Sequence, residues 1–347
     1  MPSPYDAHAI AAGERCLTVA GLLRRWLAWE WALWIAGCLW LLLRAGIAPG
    51  WTLAVAPASW LLTRWLVFVL ELLLALTLRY RLPASLGSAM PAAAPPAGPL
   101  ALLGCITVEW WHWLFNFVFG QAFAWRAPAP LPTHGRGPVV LLVHGFGCNA
   151  TIWRHAAVRL ADAGYRVAAL DLLPVFGPIE LYVEQLHARI EALCAEHGCD
   201  RLMTVGHSMG GIALRAYAAR HGDARLARLV TLGSPHRGTW FAQLFLSPNV
   251  RQMRIGSDFL RELAEVEADR PAQDRICLWS RHDNVVTPQL SARLPGAREV
   301  AIERIGHLSL ICTPRSIALL LAALAEPGQG SANAAHTATP SLRLTAM

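Results

Sequence analysis

An apolar run gives way to a helical one at residues 202–217, "LMTVGHSMGGIALRAY", and the junction is Gly206-His207-Ser208-Met209-Gly210. A strand that turns straight into a helix brings the two backbones into contact. The positions two before and two after the turning residue must therefore be small. The turning residue itself takes a strained conformation that thrusts its side chain clear of the sheet. Glycine explains the turn but not the serine at its tip. A hydroxyl in that place is chemically useful only if the rest of the chain supplies a base, an acid and donors for developing negative charge.

The surroundings fit such a turn. From about residue 138 short apolar runs alternate with amphipathic helical ones, and the segments 138–144, 166–172, 201–207, 226–234, 275–280 and 298–307 read as strands. Polar or small residues gather at their carboxyl ends. Between the second and third, Ile179, Tyr182, Val183, Leu186, Ile190, Leu193 and Cys194 follow helical spacing, with Gly198 as the stop. Strands rich in Val, Leu and Ile that alternate with helices imply a parallel sheet covered on both faces. In such sheets functional groups collect beyond the carboxyl ends of the strands.

Candidates for the remaining groups stand in order along the chain. Asp283 follows the strand "RICLWS" and His307 follows the next one, at gaps of 75 and 24 residues from Ser208 and from each other. Asp283 would orient the His307 imidazole, which would take the Ser208 proton and return one to the leaving group. The backbone N–H groups of Met209 and of Phe146, in "VHGFGCN" after the first strand, are the expected oxyanion donors. Several rivals are weaker. His282 sits in the acid loop, and His207 lies inside the turn, where it would brace it. Asp171 reads as structural, and Asp258, Glu262 and Glu265 lie in a helical excursion with no strand to fix them.

Taken together, "LLVHGFGCNATIW", "GHSMGGIALR", "LGSPHRGT", "SRHDNVVTP" and "GHLSL", spread over about residues 138–325, resemble the bacterial triacylglycerol lipase/esterase group of the α/β-hydrolase superfamily. The resemblance implies hydrolysis of carboxylic esters through an acyl-enzyme, on lipid or other hydrophobic esters, with no cofactor. It departs from secreted lipases in the upstream membrane region, and in lacking an assignable pair of calcium-binding aspartates, so no metal is expected. The same triad serves thioesters, phospholipids or amides, and a non-catalytic scaffold of this fold is the contrasting reading. The excursion at 238–275 is a candidate lid, with Trp240, Phe241 and Leu244 as substrate-binding candidates and Phe245 and Leu246 beside them. Plain helix packing is the other reading of this stretch.

The first third of the chain is of another kind. Hydrophobic residues make up 55% of the sequence, and 12 of the 15 tryptophans precede residue 126. Tryptophan favours membrane–water boundaries, where an apolar ring and a polar N–H both find partners. Residues 26–43 carry one charge, Glu30, and span ~27 Å as a helix, close to a hydrocarbon core. A second run follows at 59–78. Arg64 and Glu71 within it would each cost ~2.5–3.5 kcal/mol at a helix centre, so both are expected to face inward or lie near an interface. The organisation expected is a membrane region at 1–82 with helices at about 22–44 and 58–79, turned at Pro49-Gly50 and Pro57. A Pro/Ala/Gly-rich linker occupies 83–99, and an interfacial or packing helix 100–130. The catalytic domain spans 131–326 and a disordered tail 327–347.

A buried helical pair is the competing reading of the hairpin, and a cleavable signal peptide fits its length and position poorly. Arginines at both outer ends place those ends in the cytoplasm by the positive-inside rule. The expected location is thus the bacterial inner membrane, multi-pass, with a cytoplasmic catalytic domain; a third crossing at 100–125 would reverse that side. The formal charge of +7 is spread along the chain without a dense basic run, which speaks against nucleic acid and for a lipid surface as partner. The eight cysteines form no CxxC pair and read as free thiols, although Cys194 and Cys199 stand close enough in sequence to bridge.

Overall fold

Six strands supply the frame: β1 (Val139–Val143), β2 (Arg166–Leu170), β3 (Leu202–His207), β4 (Leu226–Leu232), β5 (Arg275–Ser280) and β6 (Arg298–Ile302). They pair in the order β2-β1-β3-β4-β5-β6, all parallel. The computed structural model describes residues 18–78, 98–123, 135–268 and 274–326. The expected tail, nearly all of the expected linker, and Arg79 and Arg81 at the end of the second apolar run lie outside the described residues.

All five residues of β1 are buried, and their alternation divides them between two cores. Leu141 and Val143 join Ile179 and Leu186 of α5 (Ile179–His197) and Ile212 of α6 (Met209–His221). Val140 and Leu142 face the other way, toward Leu160 of α4 (Arg154–Asp162) and Ile317 and Leu320 of α9 (Pro314–Ala325). Each fully buried side chain of this size contributes about 1.5–3 kcal/mol, which is why the sheet tolerates no polar face. The chain leaves β1 for the edge strand β2, then crosses back to β3. The loops after β1 and β3 therefore diverge, and the crevice between them is the natural place for a ligand.

Two long helices precede this domain, α1 (Val19–Arg44) and α2 (Thr52–Leu78). With the short turn that leads into α2, these are the two helices among the described residues long and apolar enough to cross a membrane. They are not core helices: Trp29 is 72% exposed, Leu33 71% and Leu53 87%. Pro57 departs from expectation, since it lies inside α2 rather than in the connection. Gly46, at φ 68°, already breaks α1, so no second breaker is needed. Arg64 faces inward and pairs with Glu30 of α1, beside the Trp26 ring at 5.6 Å.

The third apolar stretch is a packing helix. α3 (Pro99–His112) runs on into a π-helical segment, Trp113–Gly120. Its Leu114 and Val118 pack with Leu27 of α1 and Trp60 of α2, while Phe117 enters the sheet core beside Val140 and Trp153. This element joins the hairpin to the sheet. The excursion folds as a 3-10 turn at Trp240–Leu244, a short α7 (Pro248–Gln252) and α8 (Asp258–Ala268). The seven described cysteines, Cys194 and Cys199 included, are free.

Candidate active site

Ser208 stands between the last residue of β3 and the first of α6 at φ 54°, ψ −123°. Non-glycine residues reach this region at a cost of about 1–3 kcal/mol, and only where surrounding bonds enforce it. Here the Ser208 N–H donates to the Leu232 carbonyl at 3.0 Å and the Gly211 N–H to the Ser208 carbonyl at 3.1 Å. A side chain at Gly210 is impossible, because its Cβ would lie 2.3 Å from the Val143 carbonyl oxygen. Gly145, in the loop after β1, passes so near that a Cβ there would stand 2.9 Å from Ser208 Cβ. That approach sets the Phe146 backbone beside the serine. Met209, as the first residue of α6, has an N–H with no acceptor inside its own helix.

His144 shapes the same loop. Its Nδ1–H donates to the Gly145 carbonyl at 2.8 Å and its Nε2 accepts from the Leu172 N–H at 3.0 Å. Burial moves its pKa below the usual histidine value, in keeping with this neutral tautomer.

Asp283 is fully buried in the loop after β5. Its Oδ1 accepts from the Val285 and Val286 N–H groups at 2.8 and 2.7 Å, and its Oδ2 from His307 Nδ1–H at 2.8 Å. A carboxylate only accepts, so the histidine proton sits on Nδ1 and Nε2 keeps its lone pair. The His307 ring is held from behind as well: His207 packs against it at a tilt of 43° with centroids 4.7 Å apart and donates through Nε2 to the His307 carbonyl at 3.2 Å. Burial alone would lower the His307 pKa, but the charge and hydrogen bond of Asp283 outweigh it and leave the ring above the usual value. Burial and the neighbouring His307 push His207 the other way, well below it. His207 therefore stays neutral, and its Nε2 holds the His307 loop.

The other acids and the second loop histidine go elsewhere. His282 Nδ1 accepts from the Arg304 N–H at 3.1 Å, Asp171 accepts from the Ala150 N–H at 2.6 Å, and Asp258 pairs with Arg261 at 2.6 Å. Ser208, His307 and Phe146 border one cavity of about 470 Å³. Of the three side chains expected to bind substrate, Phe241 lines it, while Trp240 and Leu244 do not. Leu244 is 71% exposed at the outer end of its turn, and Ala242 and Phe245 stand in the lining instead.

The parallel sheet, the strained serine after β3 and the Asp283–His307 pair after the next strands coincide with a family match. A family model described as "alpha/beta hydrolase fold" matches residues 138–264. The chain has the α/β-hydrolase fold. Epoxide hydrolase B of Mycobacterium tuberculosis is 34% identical over 146 residues, which cover 40% of this chain and 40% of that protein. The chain thus spans well under half the length of this relative. A pimeloyl-[acyl-carrier protein] methyl ester esterase of Aeromonas hydrophila is 26% identical over 241 residues, covering 52% of this chain and 92% of its own length. Among solved structures, the mature form of the Bacillus licheniformis lipase BlEst2 superposes with a TM-score of 0.50 at 20% identity, over 57% of this chain and 94% of that one. This last likeness concerns the fold alone.

The hydrolase-fold domain does not enclose the cavity by itself. Leu23 and Trp26 of α1 and Val67 and Phe68 of α2 are part of its lining. Four polar partners of the site loops escaped the sequence reading: Asn284, Glu71, Glu109 and Gln121. The one available signal was their setting, because Glu71, Glu109 and Gln121 interrupt runs that are otherwise apolar.

Proposed function

We propose that the chain is a membrane-anchored serine hydrolase of lipase/esterase type, cleaving carboxylic esters with long apolar acyl groups. The observation that carries this reading is the shared cavity: Ser208 and His307 open into a space partly walled by the two apolar helices. In the proposed reaction Ser208 Oγ attacks the ester carbonyl while His307 Nε2 takes its proton. The oxyanion is received by the Phe146 and Met209 N–H groups. The C–O bond to the alcohol then breaks, His307 protonates the departing oxygen, and water repeats the sequence on the acyl-serine.

The epoxide hydrolase relatives raise a second reaction, which the residue at the turn disfavours. A serine oxygen opening an epoxide would form an ether, which water does not cleave, so the enzyme would trap itself after one turnover. Acyl transfer to the same oxygen gives an ester, which the same histidine can hydrolyse. Esters, rather than thioesters or amides, are favoured because the relative that cuts an acyl group is named a methyl ester esterase.

A buried methylene contributes about 0.8 kcal/mol, or roughly a fourfold change in an equilibrium. The kcat/KM of the detergent-purified chain on p-nitrophenyl esters should therefore rise about threefold to fourfold per methylene until the cavity is filled. A flat series from acetate to octanoate would sink the hydrophobic-substrate reading.

The exposed apolar faces of α1 and α2 support the anchored reading. The cavity-lining residues of the hairpin fall toward the start of α1 and the second half of α2, which is its open end. With Arg24 and Arg25 at that end, the rule of positive charge inside favours a cytoplasmic catalytic domain. A reporter joined after Glu326 should be active in the cytoplasm; activity in the periplasm would overturn this topology.

A further inference from the structure

Three polar side chains from the segment before β1 face the site, Glu109 and Gln121 buried and Glu71 half-buried, and each goes to a different loop. Glu71 of α2 accepts from Asn284 Nδ2 at 3.3 Å. Asn284 follows Asp283 and, through Oδ1, accepts the His307 N–H at 3.2 Å. Gln121, 1% exposed, donates through Nε2 to the Phe117 carbonyl at 3.0 Å. Its Oε1 is thereby turned to accept the Asn149 N–H at 2.7 Å, in the loop that carries Phe146.

Glu109 of α3 is the most committed of the three. It is 0% exposed, its Oε1 accepts from the Leu308 N–H at 2.6 Å, and its Oε2 accepts from the Ser309 N–H at 2.9 Å and the Ser309 hydroxyl at 2.6 Å. These donors begin immediately after His307. The chain makes room for this carboxyl at a second place, because a Cβ on Gly306 would lie 2.4 Å from Glu109 Cδ. Gly306 does not have a positive φ, so its backbone does not call for glycine; the incoming carboxyl does.

We infer that the N-terminal helices are a working part of the catalytic site, with Glu109 as the positioning residue that holds the His307 loop and with Glu71 and Gln121 fixing the acid and oxyanion loops. This rests on the reading of Ser208 and His307 as nucleophile and base. The physical reason is what Glu109 supplies: without it, two backbone N–H groups and a hydroxyl next to the base lose the buried carboxyl oxygens that accept from them. The loop then relaxes toward other acceptors, and His307 Nε2 leaves the line of the Ser208 proton. A misplacement of this sort lowers the rate of the chemical step and leaves the binding of substrate in the cavity nearly untouched.

The test uses full-length protein in detergent, with p-nitrophenyl butyrate as substrate and unfolding followed by circular dichroism. Glu109→Ala is expected to lower kcat by about 100-fold, the order set by leaving buried donors unpaired, with KM within twofold. Glu109→Gln retains an oxygen for the two Ser309 donors and should recover about tenfold of that loss. Gln121→Leu, acting through the other loop, should lower kcat by about tenfold at unchanged KM. Activity within threefold of the parent in Glu109→Ala overturns the inference, as does a loss carried by KM or one that glutamine fails to rescue. If Glu109→Ala does not fold, parent-level kcat in both Glu109→Gln and Gln121→Leu overturns it equally. Ser208→Ala run in parallel separates the two levels: hydrolysis persisting there defeats the serine-hydrolase reading itself, whereas its loss beside full activity in the Glu109 variants defeats only the positioning role.

Discussion

Replacing Ser208 with alanine is expected to lower kcat by on the order of 10⁴- to 10⁶-fold, with KM and the unfolding midpoint almost unchanged. The size follows from what is lost. Alanine keeps the strained turn at φ 54°, the Ser208 N–H to Leu232 bond and the two amides beside it, so the cavity still binds ester and still polarises its carbonyl. Only the covalent route disappears, and the residual rate is that of water in a pre-shaped site. A fluorophosphonate probe should label the parent protein at Ser208 and leave the alanine variant unlabelled. Hydrolysis by Ser208→Ala at the parent rate would exclude the acyl-enzyme mechanism.

Asp283→Asn should be nearly as damaging, at about 10⁴-fold in kcat, although it changes one atom. The two backbone donors from Val285 and Val286 hold one oxygen of this side chain in place. An asparagine satisfies them with its carbonyl and must then turn its NH₂ toward His307 Nδ1. A ring that accepts at Nδ1 carries its proton on Nε2, where it cannot take one from Ser208. The pH profile supplies an independent sign. In the parent, Asp283 outweighs burial and holds the His307 pKa above its ordinary value of about 6.5. The base works only when neutral, so kcat/KM should fall as pH drops through that raised value. Without the Asp283 charge the remaining activity should have its acid limb at lower pH, and a limb that stays put or moves up would remove Asp283 from its role.

How far the sequence could be read depends on the range of the interactions involved. The inner strands were legible because burial on both faces demands runs of Val, Leu and Ile within single short segments, and the half-buried edge strands β2 and β6 kept enough of that pattern to read. The turn at Ser208 was legible for a similar reason, since crowding between β3 and α6 is resolved by glycines two residues away. Asp283 and His307 could be nominated across 75 and 24 residues because a parallel sheet returns the chain to the same edge after every helix. Trp240 and Leu244 were as apolar as Phe241, and only the packing of the turn at Trp240–Leu244 separates the one that lines the cavity. Pro57 read as a breaker, yet Gly46 had already made the turn.

The division is clearest at the two ends of the site. Sequence alone determined that a serine would stand at a turn after a strand, with an acid and a histidine following it in the order the chemistry requires, because those constraints are local or are repeated by the sheet. It also determined that two helices before the sheet would be apolar enough for a bilayer. Tertiary structure decided that those helices would wall the cavity, and that Glu109, Gln121 and Glu71 would reach the loops around His307, Phe146 and Asp283. No periodicity encodes such contacts: the Glu109 carboxyl meets the Leu308 N–H 199 residues away, and its partner is fixed by where a packed helix comes to rest. What the sequence does record is an acid inside an apolar run, where its burial is costly unless donors meet the carboxyl.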